Sequence, residues 1–552
     1  MKILIYKLMG ILLCAGLFNH CSDPQTVIDK IGLVISQEQR ASWTRNFNPL
    51  TPGGISRWPT SAGIYEPLMI YNSMKGKYIP WLATAHKWNN GNDTLTLDIR
   101  RNVKWSDGTV FSARDVRFTF HLLKNYSALD TRGIWSYLDD VVLIDDYKIQ
   151  IIFSSIYVPG LDAISGQTIV AEHIWSGVDD PIRFTNPNPV GTGPFTEIVK
   201  FQNQVWELGK NPNYWQKGKP KVEKLVFPAF PTNTQATYAL INGEVDWAGS
   251  FIPVIDRIFV EKDPEHNHYW FPSTGGSIFL YPNHHNKHLK NAEFRKAMSH
   301  AIDRELIVKI AMNGYTVPAH ITALSDIMKD WRGDTKKYDD WTVHDKRKSA
   351  KILHDLGYTT DVNNNMLLDK EGNTVPFEII VVSGWSDWIR AAQIISRDLI
   401  KVGINASVRT YDFGAWFSRL QTGQFDLAIA WAEKGNTPYP LYRGLMKQEL
   451  VKPVGEYSAL NWHRYGNLEI DQLCEQLIKT SDQKEIRELI MNMQKIFIEN
   501  IPAIPLFAEP NWGEFNTTRF TNFPDQDNPY ATLSPNNVPE NLLVLVELEP
   551  VK

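Results

Sequence analysis

The sequence predicts an α/β protein of two or three domains, because strand-like and helix-like patterns alternate along a long chain. Residues 94–99 alternate apolar and polar side chains, as a half-buried strand does. Residues 292–310 repeat apolar side chains at helical spacing, and residues 426–431 form a short apolar run typical of a buried strand. A chain of 552 residues exceeds the size of one ordinary core. Interleaved strands and helices over this length indicate the α/β class.

The remaining elements follow the same alternation. The predicted helices are residues 113–124, 346–356, 388–402 and 484–499, and the predicted strands are residues 405–410 and 504–507. Ser112 stands where an N-cap is needed for the first of these helices. Gly357 and Gly403 each follow a helical pattern directly and indicate where it ends.

The composition argues against nucleic-acid binding and for a site rich in aromatic side chains. Apolar residues make up 43% of the chain and charged residues 21%, with a formal net charge of −4. This balance provides no basic surface for nucleic acid. The chain contains 19 Trp, 21 Tyr and 25 Phe. Most tryptophans belong in cores, but so many aromatic side chains also indicate an aromatic-lined site.

The first 20 residues have the pattern of an export signal. Lys2 and Lys7 provide positive charge, and residues 8–18 form an apolar stretch that contains Cys14. This stretch is too short to span a bilayer comfortably, and no later stretch is long and apolar enough to do so. We therefore expect a secreted mature protein, located in the periplasm or at the cell surface.

Cys21 follows this segment and precedes a polar stretch, as the acceptor cysteine of a bacterial lipoprotein does. His20 departs from the pattern, which has a small residue before the cysteine, so plain secretion with an incidental cysteine is the alternative. We predict that Cys21 is lipidated and anchors the protein to a membrane through a tether over residues 21–40. Cys474 then remains alone, so no disulfide framework exists, and its helical surroundings predict a core position.

No catalytic signature marks the chain as an enzyme. The phosphate-binding loop, the G-x-S-x-G elbow and the H-E-x-x-H zinc motif are absent from the sequence. His284, His285 and His288 lie in a polar stretch, and we interpret them as solvated loop residues. Residues 361–365 lack the glycine and the glutamate that a calcium loop needs, and we interpret them as a turn. We expect no metal and no cofactor, although the many carboxylates leave a glycosidase pair open.

Several segments carry a family resemblance. They are RNVKWSDGTVFSARDV at residues 101–116, PVGTGPF at 189–195, KNPNYW at 210–215, FRKAMSHAIDR at 294–304 with Gly314 and Tyr315, VGI at 402–404, GQFD at 423–426 and IPAIPL at 501–506. In this order, over nearly the whole mature chain, they resemble the family 5 extracellular solute-binding proteins, the group of dipeptide- and oligopeptide-binding proteins.

The resemblance implies a two-lobed periplasmic-binding-protein fold of type II, in the large cluster with an extra third domain. It also implies a monomeric receptor, not an enzyme, that passes a small ligand to the permease subunits of an ABC importer. The implied divisions are residues 41–61, 190–275 and 508–552 for domain I, residues 62–189 for the extra domain II, and residues 276–507 for domain III. Crossovers between the lobes are expected near residues 272–282 and 503–510.

Three further stretches resemble members of this family that bind β-linked oligosaccharides of the cello- or chito-oligosaccharide kind. They are residues 65–72 with 78–82, residues 128–130 with 133–137, and the tail from Trp512 through residues 516–530. Peptide binders of the family carry an aspartate that neutralises the ligand's ammonium, because an unpaired buried charge is very costly. In that place residues 430–436 read AWAEKGN, with Glu433 beside Lys434. We therefore expect an oligosaccharide ligand.

The ligand-contacting loops of the family fall on segments that here supply flat aromatic faces and hydrogen-bonding groups, which sugar binding needs. By this resemblance the candidate ligand-binding residues are Trp58, Trp247, Ser250, Phe251, Trp385, Phe413, Trp431, Glu433, Asn436 and Trp512. For each tryptophan the alternative is packing in a core or at the rim of the cleft. Ser250 is chosen by its position alone.

The sequence leaves alternatives to an oligosaccharide receptor open. A peptide receptor of the same fold would need a buried carboxylate facing the ligand's amine, and Glu433 could serve. A secreted glycoside hydrolase would need two carboxyl groups about 5–10 Å apart across a groove. A receptor that presents sugar to a signalling partner has the same sequence features as one that serves import.

Overall fold

The computed structural model describes residues 32–38, 44–51, 63–202 and 204–551. The predicted export signal, Cys21 and Trp58 lie outside these residues. Within them, the prediction of a tether reaching residue 40 is wrong. Residues 32–38 contain two strands, and Leu33 and Ile35 are buried because this segment joins a sheet.

Strands and helices alternate along the described residues. The strands are β1 Gly32–Val34, β2 Gln37–Glu38, β3 Met69–Asn72, β4 Lys77–Pro80, β5 Ala83–Trp88, β6 Thr94–Ile99, β7 Leu138–Asp145, β8 Lys148–Phe153, β9 Phe195–Gln202, β10 Val205–Lys210, β11 Lys224–Phe230, β12 Trp247–Ala248, β13 Asn267–Tyr269, β14 Ser273–Pro282, β15 Thr359–Thr360, β16 Leu367–Leu368, β17 Pro376–Val382, β18 Asn405–Tyr411, β19 Leu427–Trp431, β20 Ile504–Pro510, β21 Glu514–Asn516, β22 Phe520–Thr521 and β23 Glu549–Pro550.

The α-helices of the same residues are α1 Ala113–Asn125, α2 Gly160–Ser165, α3 Glu172–Trp175, α4 Asn233–Ile241, α5 Ile255–Ile258, α6 Ala292–Ala301, α7 Arg304–Leu306, α8 Lys346–Asp355, α9 Ser386–Ile400, α10 Phe413–Thr422, α11 Tyr439–Met446, α12 Leu468–Leu477, α13 Gln483–Asn500 and α14 Asn541–Glu547. Short 3₁₀ turns occur at Ile134–Ser136, Val260–Lys262, Asp326–Trp331 and Gln448–Leu450, and a π turn at Ile307–Ala311.

Three larger sheets organise the described chain. One has the order β1-β11-β10-β9, with β2 also paired to β11, and another is the antiparallel sheet β5-β6-β8-β7. The third has the order β18-β17-β19-β14-β20. In it β17 runs parallel to both β18 and β19, whereas β14 is antiparallel to β19 and β20. The fold is a mixed α/β architecture, as predicted.

The hydrophobic cores divide the molecule at β14 and β20. One core gathers buried residues between Leu33 and Phe227 together with residues 515–548, and a second gathers residues 278–507. A small third core lies around α4 and α5. We call residues 273–510, which contain the second core, lobe II, and the other described residues lobe I. The predicted domains I and II both contribute to the first core, and the boundary between them stays a prediction.

Most predicted elements are present, but the helix predicted over residues 292–310 is wrong as a single helix. It ends at Ala301, Ile302 takes an extended conformation, and Asp303 caps the short helix α7. The chain turns there because the Asp303 carboxylate accepts a hydrogen bond from the Leu306 N–H at 2.9 Å, which starts a new helix. Helical spacing continued through the break, so the pattern did not indicate it.

The interpretation of His284 as a solvated residue is also wrong. Its side chain is buried, its Nε2 lies 2.9 Å from the carbonyl oxygen of Pro502, and its ring packs against His463 and Tyr465. His285 is exposed. Residues 361–365 do form the turn between β15 and β16, and Cys474 is buried on α12. No helix within the described residues is long and apolar enough to cross a membrane.

Candidate ligand-binding cleft

The parallel strands of the third sheet bring aromatic side chains to one edge. Strands β17, β18 and β19 run in the same direction, so their carboxyl ends meet at that edge. Trp385 follows β17, Phe413 opens the helix after β18, and Trp431 is the last residue of β19. Loops at the carboxyl ends of parallel strands are where ligands bind in open α/β sheets. Three predicted site residues are thus brought together.

These residues belong to a larger group of rings, which we call the aromatic cluster. Its members are Trp385, Trp388, Phe413, Trp416, Phe417, Trp431 and Trp462. Ring centroids of Trp385 and Trp388 are 4.9 Å apart, and those of Trp416 and Trp431 are 5.4 Å apart. Trp416 is fully buried and supports the layer, whereas Trp385 and Trp431 are only partly buried. The cluster therefore has a packed base and accessible faces.

The candidate site residues did not include the supporting rings Trp388, Trp416, Phe417 and Trp462. Three of them follow a predicted site residue at helical spacing: Trp388 comes three residues after Trp385, and Trp416 and Phe417 come three and four residues after Phe413. Side chains at these spacings share one face of a helix. This spacing was the signal that could have found them.

Glu433, two residues after Trp431, is paired with an arginine. Its Oε2 lies 3.3 Å from Nη1 of Arg443, and its side chain is 30% exposed. Arg443 Nη2 in turn donates to the hydroxyl of Tyr137 in lobe I, and Tyr137 stacks on Tyr157 at 4.2 Å. Burial raises the pKa of Glu433, while the charges of Arg443 and Arg132 act against that rise. Oε2 of Glu433 is therefore held by Arg443.

Asn436 makes a second polar contact between the lobes. Its exposed side chain donates a hydrogen bond to the carboxylate of Asp162 on α2. Burial raises the pKa of Asp162 to about 6, and the hydrogen bond from Asn436 opposes this rise. Asn436 and Glu433 thus both face groups of lobe I, which makes this side of the cleft polar.

The lobes also touch beside Trp385. The indole N–H of Trp385 donates to Oε1 of Glu38 in lobe I at 2.9 Å, and the Asn233 N–H donates to the carbonyl of Gly384 at 3.1 Å. Gly384 has a φ of +90°, and a Cβ there would lie 2.4 Å from the carbonyl oxygen of Pro231. Only glycine permits this close approach of the two backbones. The two lobes are therefore in direct contact beside Trp385.

Phe251 and Trp512 form a separate aromatic group next to the crossover strands. The Trp512 ring lies 5.5 Å from that of Phe251, 4.8 Å from Phe271 and 6.2 Å from Tyr315. Nearby, the Ser250 N–H donates to Oε2 of the fully buried Glu514 at 3.3 Å. The buried Ser250 Oγ has no hydrogen-bond partner among the described residues.

Trp247 occupies a different environment from the other candidates. It is fully buried, its indole N–H donates to the carbonyl of Leu533 at 2.7 Å, and its ring packs against Phe523. These contacts correspond to the core-packing alternative. In the described parts of the chain, no group of three or more His, Cys, Asp or Glu side chains could hold a metal ion.

Two α/β lobes are joined by crossover strands and meet beside aromatic and polar side chains, an arrangement suited to holding a ligand between the lobes. The chain belongs to the bacterial extracellular solute-binding proteins, family 5, whose model matches residues 77–448. Members of this family are substrate-binding proteins of ABC transporters, which act outside the cytoplasm together with the permease. Their role is binding rather than catalysis.

Comparison with individual proteins gives a range of ligands. A solved structure of a periplasmic oligopeptide-binding protein from Thermotoga maritima, with mannohexaose bound, superposes with a TM-score of 0.87 at 27% identity, covering 95% of this chain and 99% of that one. The oligopeptide-binding protein AppA of Bacillus subtilis is 24% identical over 78% of each chain. The glutathione-binding protein GsiB of Shigella dysenteriae is 24% identical over 84% of this chain and 87% of its own length.

Proposed function

We propose that this protein captures an oligosaccharide for an ABC importer and holds it against the aromatic cluster. The observation that carries the proposal is the layer of rings at the carboxyl ends of β17, β18 and β19, with Trp385 and Trp431 partly exposed. Sugar rings have flat C–H faces that pack on tryptophan, and rigid tryptophans lose little entropy on binding. Asn436 and Glu433 supply hydrogen-bonding groups for hydroxyls at the edge of this layer.

The charges of the cleft favour a neutral or acidic ligand over a peptide. A peptide receptor needs a carboxylate that is free to pair with the ligand's ammonium. Glu433, the sequence candidate for that role, already pairs with Arg443 and also feels the charge of Arg132. An ammonium would have to displace an arginine and leave it uncompensated in the cleft, which is costly.

The Thermotoga maritima protein supports the same reading, because its structure holds mannohexaose and its fold overlaps this chain over nearly its whole length. We extend the proposal to β-linked hexose chains, of which cello- and chito-oligosaccharides are the kinds predicted from the sequence. We further propose that Cys21 carries a lipid anchor and that the protein acts as a monomer. A peptide ligand is the second candidate, because AppA is an oligopeptide-binding protein.

A thermal-shift screen tests the proposal. The protein is melted alone and with cello-, chito-, manno- and xylo-oligosaccharides, and in parallel with a peptide mixture. A ligand that binds only the folded state stabilises it by about 2.7 kcal/mol at one hundred times its Kd, which raises the melting temperature. We expect at least one oligosaccharide to do so. Stabilisation by peptides alone would refute the oligosaccharide assignment.

A further inference from the structure

Lobe I carries an arginine, near Glu433 of lobe II, that has no ion-pair partner among the described residues. Arg132 lies on the loop between α1 and β7, in a turn whose Gly133 has a φ of +65°. Asp130, two residues earlier, holds this turn through its carboxylate. Both Asp130 oxygens accept backbone hydrogen bonds, from Ile134 at 2.9 Å and Trp135 at 3.0 Å.

The guanidinium of Arg132 rests on the backbone of Gly166, just after α2. A Cβ at Gly166 would lie 3.0 Å from Nη1 and 3.1 Å from Nη2, so a larger residue would push the guanidinium away. Within the described chain, Arg132 makes no hydrogen bond or ion pair. Its position is therefore set by the loop and by the glycine, and its N–H groups remain available.

The surroundings of Arg132 place it in the cleft and not on the outer surface. The acid that most affects it is Glu433 of lobe II, across the cleft, yet the ion pair of Glu433 is made with Arg443. The turn that carries Arg132 ends at Tyr137, whose hydroxyl accepts a hydrogen bond from Arg443, the ion-pair partner of Glu433. The loop of Arg132 therefore lies directly against lobe II at Glu433.

We propose that Arg132 is a ligand-binding residue whose guanidinium donates hydrogen bonds to a pair of oxygens on the bound ligand. The planar fork of an arginine fits two oxygens held side by side. On an oligosaccharide, such a pair is either two neighbouring hydroxyls or the carboxylate of an acidic sugar unit. The assignment rests on the proposed function for the identity of the ligand, and it makes the site two-sided, with stacking in lobe II and polar recognition in lobe I.

Calorimetry on Arg132→Gln and Arg132→Lys tests the assignment, with each ligand that stabilises the wild type. The panel includes neutral oligosaccharides and chains of equal length that contain a uronic acid. Arg117→Gln, an exposed arginine on α1, is the matched control. We expect Arg132→Gln to weaken binding at least tenfold, with the melting temperature of the unliganded protein unchanged and the control equal to wild type.

The two ligand chemistries give different results. A carboxylate predicts that the wild type prefers the acidic chain and that Arg132→Gln abolishes the preference, whereas Arg132→Lys retains part of it. A pair of hydroxyls predicts equal losses for neutral and acidic chains in both variants. Affinity within twofold of wild type for Arg132→Gln, or an equal loss in Arg117→Gln, would overturn the assignment.

Failure of the Arg132 assignment and failure of the proposed function give different results. A wild type that binds only peptides refutes the oligosaccharide proposal, and the same variants titrated with the peptide then decide the role of Arg132. A wild type that binds sugar while Arg132→Gln binds it equally well leaves the proposed function standing and removes Arg132 from the site. Failure of the wild type to bind any member of the panel overturns both.

Discussion

Replacing Trp431 by alanine separates ligand stacking from core packing. The ring of Trp431 lies 5.4 to 6.5 Å from those of Trp388, Phe413, Trp416, Phe417 and Trp462. Removing a core tryptophan costs about 3 to 5 kcal/mol of stability, and because Trp431 is partly exposed we expect about 3. Losing a central aromatic anchor costs ~2 kcal/mol or more of binding free energy. Oligosaccharide affinity should therefore fall about thirtyfold or more.

The control for this prediction is Trp341→Ala, in the same lobe but outside the aromatic cluster. Trp341 is buried, donates to the carbonyl of Ile498 at 2.9 Å and packs on Phe497. This variant should lose at least as much stability as Trp431→Ala while its affinity stays near that of wild type. Affinity is measured by calorimetry at a temperature well below the melting temperature of the less stable variant. Unchanged affinity in Trp431→Ala, or an equal loss in Trp341→Ala, would show that the reasoning is wrong.

Three further predictions concern charged and anchoring groups. Glu433→Gln should weaken oligosaccharide binding less than tenfold in calorimetry, that is by less than about 1.4 kcal/mol, because an amide still bonds hydroxyls. A wild type that binds only peptides, and loses that binding in Glu433→Gln, would indicate a peptide receptor. Burial raises the pKa of Glu66 to about 7, despite hydrogen bonds from Trp81, Tyr214 and Trp215. The raised pKa means that protonated Glu66 contributes roughly 3 kcal/mol to the free energy of unfolding below pH ~4.5, and this contribution is lost by pH 7. The fall in melting temperature from pH 5 to pH 8 should therefore be smaller in Glu66→Gln than in wild type. An unchanged pH profile in Glu66→Gln counts against the raised pKa. If Cys21 is acylated, wild type should partition into detergent and Cys21→Ala should not, whereas equal partitioning excludes the anchor.

The sequence predicted the fold well where local pattern and tertiary packing agree. Strand β6 and helix α8 lie at or within one residue of their predicted bounds. It failed where a side chain redirects the backbone, as Asp303 does by capping a new helix after Ala301. It also failed at residues 32–38, because their partner strand β11 lies almost two hundred residues away in the chain. Such long-range pairing leaves little trace in so short a stretch, although Leu33, Val34 and Ile35 are apolar.

Only part of the candidate site could be predicted from the sequence. Trp385, Phe413 and Trp431 could be predicted through the resemblance to the family, whose ligand-contacting segments fall on these residues. The parallel strands β17, β18 and β19 bring the three segments to one edge. Arg132 could not, since it lies in lobe I and only the tertiary structure brings it near Glu433 of lobe II. Trp247 is of a residue type that suits a sugar-binding site, but it is buried in the core, where its indole N–H donates a hydrogen bond to the carbonyl of Leu533.

The contacts between the lobes suggest how closure depends on the ligand. They include single hydrogen bonds such as Asn233 to Gly384, Trp385 to Glu38 and Val158 to Ile478. Each contributes about 1 kcal/mol net, since both groups bond to water when the lobes separate. A ligand that touches the aromatic cluster alone would bind both states similarly and shift the equilibrium little. A ligand that contacts lobe II and lobe I together binds the closed state preferentially, so closure selects for a ligand that reaches both lobes.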